Sequence, residues 1–135
     1  MTTISDHQRS SVGFLPDPAF ITIAAMAEYI EVVTTVADRV AAEQIARTLI
    51  EARLAACVQV SGPITSTYRW RGQIETAQEW QCAAKSRRDL FDQVEAAIRR
   101  LHPYEVPEIL AVALVDGNAQ YLEWLEGELK PPTTS

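Results

Sequence analysis

The sequence predicts an α+β domain, and three observations support this class. Segments rich in β-branched and apolar residues alternate with segments that carry apolar residues at helical spacing. Two long strand-like segments in the middle of the chain are separated by a tight turn at Gly72. The length of 135 residues suits one domain, and no apolar run reaches the roughly 20 residues that a membrane-spanning helix needs.

The two ends of the chain are predicted to lie outside the domain at residues 28–130. Residues 1–27 contain glycine, prolines and several Ser and Thr without periodicity, which predicts a disordered N-terminal arm that folding does not require. The apolar run Phe20–Ala27 is short and lacks a basic leader, so a secretory signal is not favoured. Met26 could equally be the translation start. Residues 131–135 are predicted to be a C-terminal tail.

The first half of the domain begins with a strand, predicted over Tyr29–Val36 from its β-branched residues. Asp38 is positioned to cap a helix that runs to about Arg53, with apolar residues along one side. The apolar run Leu54–Val60 predicts a central strand buried on both faces, ended by Gly62-Pro63.

Two long strands are predicted next, Ile64–Arg71 and Gln73–Lys85. At about 3.3 Å per residue they reach roughly 25 to 40 Å, which is longer than the core of a small domain can cover. Large aromatic side chains on such a hairpin should not be left in water, so we expect the hairpin to pair with another subunit. These aromatic residues are Tyr68, Trp70 and Trp80.

The second half is predicted to begin with a helix that ends at Leu101, opened by Ser86 and Asp89 at capping-box spacing. A strand over Ile109–Val115 and a last amphipathic helix capped by Asn118 follow. The order strand–helix–strand–strand–helix–strand–helix is that of a ferredoxin-like split β-α-β sandwich.

The eight residues His102–Ile109 combine the most polar chemistry with the least backbone freedom. Pro103 and Pro107 prevent a helix here, because each lacks an N–H and favours extended geometry in the residue before it. An imidazole, a phenol and two carboxylates are therefore held on a short, stiff segment. The residues are His102, Tyr104, Glu105 and Glu108.

Charge and cysteine content exclude some classes of partner. The net charge of −6 argues against a nucleic-acid binder or a protein that binds anionic membranes, since both need basic patches. Cys57 and Cys82 lie in apolar runs, so we expect free, buried thiols and a reducing, cytoplasmic location.

Several ordered motifs resemble the CutA family, the divalent-cation tolerance proteins, across Glu31–Leu129. They are Ile45-Ala46, Leu54-Ala55-Ala56-Cys57-Val58, Ser66-x-Tyr68-x-Trp70-x-Gly72, Lys85, His102-Pro103-Tyr104-Glu105-x-Pro107-Glu108-Ile109 and Tyr121-Leu122-x-Trp124-Leu125. The resemblance implies a ferredoxin-like subunit in a tight homotrimer whose long hairpins extend a neighbour's sheet. It also implies a link to copper and divalent-metal tolerance, and it implies no reaction.

Two departures from the family bear on copper. Family members proposed to bind copper can carry Cys where this chain has Thr34, and His-His where it has Leu101-His102. A soft copper site combines thiolate and imidazole, and only the imidazole is present here. His102 with Glu105 is the candidate metal pair. The alternative is that His102 is a structural residue stabilised at the C-terminus of a helix.

Other candidate residues also have two interpretations. Lys85-Ser86-Arg87-Arg88 is predicted at a helix N-terminus, where it could form an anion pocket, or Lys85 could be salt-bridged. Tyr68, Trp70 and Tyr104 could line a ligand cleft between subunits or pack in an interface. On an extended segment Glu105 and Glu108 point to opposite sides, so structural pairing of one with Lys85 or an arginine is favoured.

Two functional hypotheses follow. In the first, a cytosolic CutA-like homotrimer binds copper, another divalent cation or a small ligand at subunit clefts, and no cofactor is needed for folding. In the second, a trimeric scaffold or signalling module acts through partner proteins and binds metal incidentally. An enzyme is the weakest interpretation, because the sequence has no Ser-His-Asp set, phosphate-binding loop or zinc-type spacing.

Overall fold

The computed structural model describes residues 28–132, which form a four-stranded antiparallel sheet with helices, as the predicted α+β class requires. The sheet order is β2-β3-β1-β4. The strands are β1 (Tyr29–Val36), β2 (Cys57–Trp70), β3 (Gln73–Arg87) and β4 (Ile109–Leu114). The helices are α1 (Arg39–Glu51), α2 (Phe91–Leu101) and α3 (Ala119–Glu128), with a 3-10 turn at Arg88–Leu90. The predicted N-terminal arm, residues 1–27, and the last three residues of the predicted tail lie outside the described residues.

Helix α1 starts and ends close to its predicted limits. The Asp38 side chain accepts a hydrogen bond of 2.8 Å from the N–H of Ala41, so it caps the helix as predicted. The helix ends at Glu51, because Arg53 takes a left-handed conformation with φ of 58° and donates its N–H to the carbonyl of Ile50. The predicted apolar stripe of α1 faces the core through Ala42, Ile45 and Leu49.

The start of α2 corrects the predicted capping box. Strand β3 continues to Arg87, and the 3-10 turn separates it from α2. The Ser86 hydroxyl is buried and donates to the carbonyl of Leu54 at 2.6 Å, so it does not cap a helix. Lys85, Ser86 and Arg87 are therefore strand residues, and only Arg88 of the four belongs to the helical segment. The anion pocket stays a prediction. The apolar stripe itself is buried through Leu90, Val94, Ala97 and Ile98.

The prediction of a central strand over Leu54–Val60 is wrong. This segment and Ile64–Arg71 mostly form one strand, β2, which lies at an edge of the sheet because β3 continues alongside both parts. Gly62-Pro63 is accommodated by a bulge, where the pairing shifts between Ser61 and Ile64. Gly62 has φ of 153°, and a Cβ there would lie 2.8 Å from Trp80 Cε3. A larger residue at this position would clash with the ring.

The long hairpin is confirmed, and its outer part is supported by no third strand of the described chain. β1 pairs with β3 only between Trp80 and Arg87. Residues 64–79 therefore form a two-stranded arm, in which Gln73–Glu79 pairs with β2 alone. Arg71 and Gly72 form the turn, both with positive φ, as expected for a tight two-residue connection. Seven residues of β3 correspond to an arm of about 23 Å.

Helix α3 contacts the sheet through a buried arginine. The Arg87 guanidinium donates to the Glu126 carboxylate at 2.9 Å, to the Lys130 carbonyl at 2.8 Å, and to Asp89. The hydrogen bond with Asp89 is the largest cause that raises the Arg87 pKa. Burial, followed by the hydrogen bond that Tyr29 donates to Glu126, raises the pKa of this phenol to about 12. These contacts fix the C-terminal helix to β1 and β3.

The predicted details of α3 are confirmed only in part. Asn118 occupies the N-cap position, but its side chain makes no capping hydrogen bond. Of the predicted apolar side, Leu125 is fully buried, whereas Tyr121 remains partly exposed. The longest helix in residues 28–132 is α1 with 13 residues, and none in that range is long and apolar enough to cross a membrane.

Thr34 offers a test of the core. Its hydroxyl is buried and has no hydrogen-bond partner among the described residues. Because an unsatisfied buried hydroxyl costs free energy, Thr34→Val should leave the free energy of unfolding unchanged or raise it by up to about 2 kcal/mol. Chemical denaturation monitored by tryptophan fluorescence measures this change.

Ser86→Ala is the matched control, because its buried hydroxyl is hydrogen-bonded. This substitution should lower the free energy of unfolding by about 1–3 kcal/mol. A clear loss of stability in Thr34→Val would mean that the Thr34 hydroxyl has a partner, such as a buried water molecule.

Candidate functional site

The segment of residues 102–108, here called the joint, connects α2 to β4 and is fixed by His102. Its Nε2 lies 2.8 Å from the carbonyl oxygen of Thr35, and the N–H of Tyr104 donates to Nδ1 at 3.2 Å. Because a carbonyl can only accept and the Tyr104 N–H can only donate, Nε2 carries the proton in the neutral ring. The ring also packs edge-on against Tyr104, with centroids 4.7 Å apart. His102 therefore holds the end of α2 against β1.

Tyr104 connects the joint to the base of the arm. Its hydroxyl donates to one carboxylate oxygen of Glu79 at 2.8 Å, and the Ser66 hydroxyl donates to the other at 2.8 Å. Glu79 is only 7% exposed, although it lies where β3 leaves the core. Three segments of the chain, β2, β3 and the joint, thus meet at one carboxylate.

The Tyr104 phenol is held in its neutral form. Burial is the largest cause that raises its pKa to about 12, and the hydrogen bond to Glu79 is the second. A neutral phenol remains a hydrogen-bond donor throughout the physiological pH range. The phenol can therefore donate to Glu79 throughout this pH range.

Aromatic residues extend from Glu79 along the same face of the arm. Glu79 pairs with Ile64, so its side chain shares a face with Ser66, Tyr68 and Trp70. Tyr68 and Trp70 are 42% and 39% exposed. Tyr68 pairs with Glu75, about 13 Å from Glu79 along β3, and Trp70 pairs with Gln73, about 20 Å away towards the turn. Tyr68, Ser66, Tyr104 and Glu79 together are called the Glu79 recess below.

Glu105 lies outside this recess. Its carboxylate is 3.5 Å from the guanidinium of Arg71, which also lies 5.3 Å from the centre of the Trp70 ring. Both charged side chains are exposed, so this ion pair contributes little stability. The contact agrees with the expectation that one glutamate of the joint pairs with an arginine. Glu108 is exposed near the start of β4.

The proposed metal pair, His102 and Glu105, has no third ligand in the same chain. Within residues 28–132, no group of three or more His, Cys, Asp or Glu side chains could hold a metal ion. A metal on His102 would also displace one of its two hydrogen bonds. The assignment of this pair stays a prediction.

Lys85 lies elsewhere in the sheet. Its ammonium group is 2.9 Å from the Gln59 amide oxygen and 3.4 Å from the Glu31 carboxylate. Lys85 is six residues from Glu79 along β3, or about 20 Å. Within one chain the structure therefore does not bring it together with the joint. These contacts fit the alternative in which Lys85 is salt-bridged.

Sequence reasoning missed Glu79 and Ser66 as site residues. In the alternating pattern of the second long strand, Glu79 falls on the same side as Glu75 and Lys85, and this pattern indicates an ordinary polar face. The relevant signal is the shared face with Tyr68 and Trp70 across the hairpin. It becomes visible only when the register of β2 and β3 is known.

Fold and site define a small α+β protein with an unsupported β-arm and a buried carboxylate, held by hydroxyl groups, at the base of that arm. Residues 30–128 match the family model "CutA1 divalent ion tolerance protein". The chain belongs to this family, which agrees with the resemblance in its motifs.

Individual relatives support the same family assignment. The chain is 42% identical over 94 residues to the divalent-cation tolerance protein CutA of Thermus thermophilus, covering 70% of this chain and 91% of that protein. It is 42% identical over 84 residues to human protein CutA, covering 62% of this chain. That match spans 47% of the human protein, so the chain covers about half the length of this relative.

Solved structures share the fold. The Thermus thermophilus Cut A1 structure superposes with a TM-score of 0.74 at 38% identity, covering 76% of this chain and 99% of that one. A structure from Archaeoglobus fulgidus, described as a periplasmic divalent cation tolerance protein CutA, gives a TM-score of 0.73 at 32% identity, covering 76% and 99%.

Replacing the Tyr104 hydroxyl tests the contact with Glu79. Tyr104→Phe removes a hydrogen bond to a buried carboxylate, so the free energy of unfolding at pH 7 should fall by about 1.5–3 kcal/mol. The folded-state pKa of about 12 lies above the ordinary value of 10.0, so this stabilisation is complete below pH 10. It should decrease as the pH rises from 10 towards 12.

Denaturant unfolding of both proteins between pH 7 and pH 11 measures this difference. Tyr68→Phe is the control, because the Tyr68 side chain is more exposed, and it should change stability much less. An equal effect of the two substitutions would show that the Tyr104 hydroxyl has no special role.

Proposed function

We propose that this protein is a homotrimer with a ferredoxin-like subunit, which binds a small ligand or a divalent cation at clefts between subunits in the response to metal ions. The arm is the observation that supports the assembly most directly. The names of the relatives, which refer to divalent-cation tolerance, support the link to metal ions.

The arm is unsuited to a monomer. An isolated two-stranded hairpin is marginally stable in water, and this one carries Tyr68, Trp70 and the exposed Ile74. Exposed strand edges with apolar side chains invite pairing with other chains. A neighbouring subunit that covers the arm would stabilise the hairpin and would shield its exposed edges and apolar side chains from water.

The remaining sheet offers a surface that such an arm could cover. β4 is the second edge strand of the sheet, and Leu110 and Val112 on it are 58% and 53% exposed. The arm and β4 are different surfaces, so a contact between them is head-to-tail. A head-to-tail contact that closes after three copies gives the trimer. It would place Tyr68, Trp70, Tyr104 and Glu108 near the boundary between subunits.

The ligand is proposed to bind at this boundary without a chemical reaction. His102 is the sole histidine in residues 28–132, and both of its ring nitrogens are engaged, so it is not available as a general base. The same engagement favours a small ligand over copper at the joint. Copper at His102 and Glu105 is the second ligand candidate. Cys57 and Cys82 are free, which supports a cytoplasmic location.

A trimeric scaffold or signalling module is the alternative function. Val106 and Val115, on either side of β4, are both exposed in the chain. If they remain exposed after assembly, they favour a partner protein. Metal binding would then be incidental.

The mass in solution tests the trimer. Light scattering on the full chain at micromolar concentration should give about 45 kDa, three times the 15.0 kDa of one chain. Trp70→Ala should shift the distribution towards monomer or aggregate, because each buried aromatic ring contributes on the order of 1.5–3 kcal/mol. Val40→Ala, on the exposed side of α1, should leave the mass unchanged. A 15 kDa species for the wild type would refute the trimer.

A copper titration tests the role of His102. His102→Gln keeps a donor for the Thr35 carbonyl, so it is less disruptive than alanine. Since both ring nitrogens are hydrogen-bonded, we expect the Cu(II) affinity at pH 7 to be equal in the wild type and in this variant. A stoichiometric copper site that disappears in His102→Gln would instead identify His102 as a ligand.

A further inference from the structure

We propose that Glu79 is the anchor of a binding site for an organic cation, a protonated amine or a guanidinium group, in the Glu79 recess. This inference rests on the proposed function, because it names the class of small ligand that the cleft takes. It adds a charged group, Glu79, that neither the family motifs nor the relatives' names assign.

The charge of Glu79 is the first argument. A buried carboxylate normally has a cationic partner, since removing a charge from water is costly. Within residues 28–132 Glu79 makes no ion pair, and its two hydrogen bonds come from neutral hydroxyls. Those bonds supply no countercharge. A ligand that carries a positive charge would supply one.

The two arginines that lie over tryptophan rings of the hairpin have other charged partners. Arg39 pairs with Glu43 at 2.8 Å and lies over the Trp80 ring. Arg71 lies over Trp70 and pairs with Glu105. Neither of these contacts brings a cation to Glu79.

Free acceptor capacity is the second argument. An ionised carboxylate has about four lone-pair positions, and the hydroxyls of Ser66 and Tyr104 occupy one on each oxygen of Glu79. The remaining positions can accept hydrogen bonds from an ammonium or a guanidinium group. Both groups carry several N–H donors and no acceptor, so they match a site that offers acceptors.

The aromatic ring of Tyr68 is the third argument, and together with the few oxygen ligands it distinguishes an organic cation from a metal ion. Tyr68 lies partly exposed on the same face as Glu79, and organic cations bind over such rings. A hard metal ion such as Ca²⁺ takes 6–8 oxygen ligands in general. The recess offers one carboxylate and neutral hydroxyls.

The test uses the monocation n-butylammonium, as its chloride, and the neutral isostere n-butanol. Both are titrated into the full-length 15N-labelled protein at pH 7 and constant ionic strength. Butylammonium should shift the amide signals of Ser66, Tyr68, Glu79 and Tyr104 with a saturating profile, and butanol should not. In Glu79→Gln, which keeps the shape of the side chain but removes its charge and one of its two acceptor atoms, the affinity should fall at least about tenfold.

Glu123→Gln is the matched control, because it removes the same charge from an exposed position on α3. Its affinity for butylammonium should equal that of the wild type. Equal loss in both variants would reveal non-specific attraction by the acidic chain, and equal binding of butanol would reveal an apolar site. Either result overturns the proposal, as does unchanged binding in Glu79→Gln.

The masses of the same samples separate this inference from the proposed assembly. Glu79→Gln should remain at the mass of the wild type. If it falls to the mass of one chain while Glu123→Gln does not, Glu79 pairs with a cation of a neighbouring copy, and the ligand site is overturned. A wild type that is monomeric refutes the trimer, whatever the amine titration gives.

Discussion

The contact of the Glu79 carboxylate with the hydroxyls of Ser66 and Tyr104 determines how the unusual parts of this molecule are joined. It lies where the two-stranded arm leaves the sheet, and it connects both strands of the arm to the joint. Hydrogen bonds to charged groups are stronger than neutral ones, and burial strengthens them further. The contact therefore helps to hold the joint against the base of the arm.

The joint contributes to this arrangement because it cannot change its backbone freely. Pro103 and Pro107 keep it out of helical geometry, and His102 fixes its first turn through one bond to β1 and one to Tyr104. Tyr104 is thereby positioned over Glu79. The polar groups of the joint suggest a metal or catalytic site. In the structure, His102 stabilises the joint itself, and Tyr104 connects it to the arm.

Much of the fold could be predicted from the sequence, because it depends on local patterns. The strand Tyr29–Val36, the cap at Asp38 and the long hairpin with its turn at Gly72 are such cases. The errors at Leu54–Val60 and Ser86 arise from tertiary pairing. The long strand β3 keeps β2 continuous past Gly62-Pro63 and draws Ser86 into the sheet.

The site could be predicted less well than the fold. Tyr68, Trp70 and Tyr104 were identified from residue type, and the structure places Tyr104 in contact with Glu79, with Tyr68 and Trp70 farther along the same face of the arm. Glu79 itself looks like any polar residue of an alternating strand, since its burial depends on the joint that folds over it. Lys85 was grouped with the joint, but it lies along β3 near Gln59 and Glu31. The separation of six residues between Glu79 and Lys85 corresponds to about 20 Å along the extended strand, so the two side chains are far apart.

The most direct test of this central contact is a double-mutant cycle between Tyr104→Phe and Glu79→Gln, measured as free energies of unfolding in denaturant. If the two side chains act together, the double variant should lose less than the sum of the single losses, with a coupling energy of about 1 kcal/mol or more. Additive effects within about 0.3–0.5 kcal/mol would contradict a joint held to the arm through Glu79.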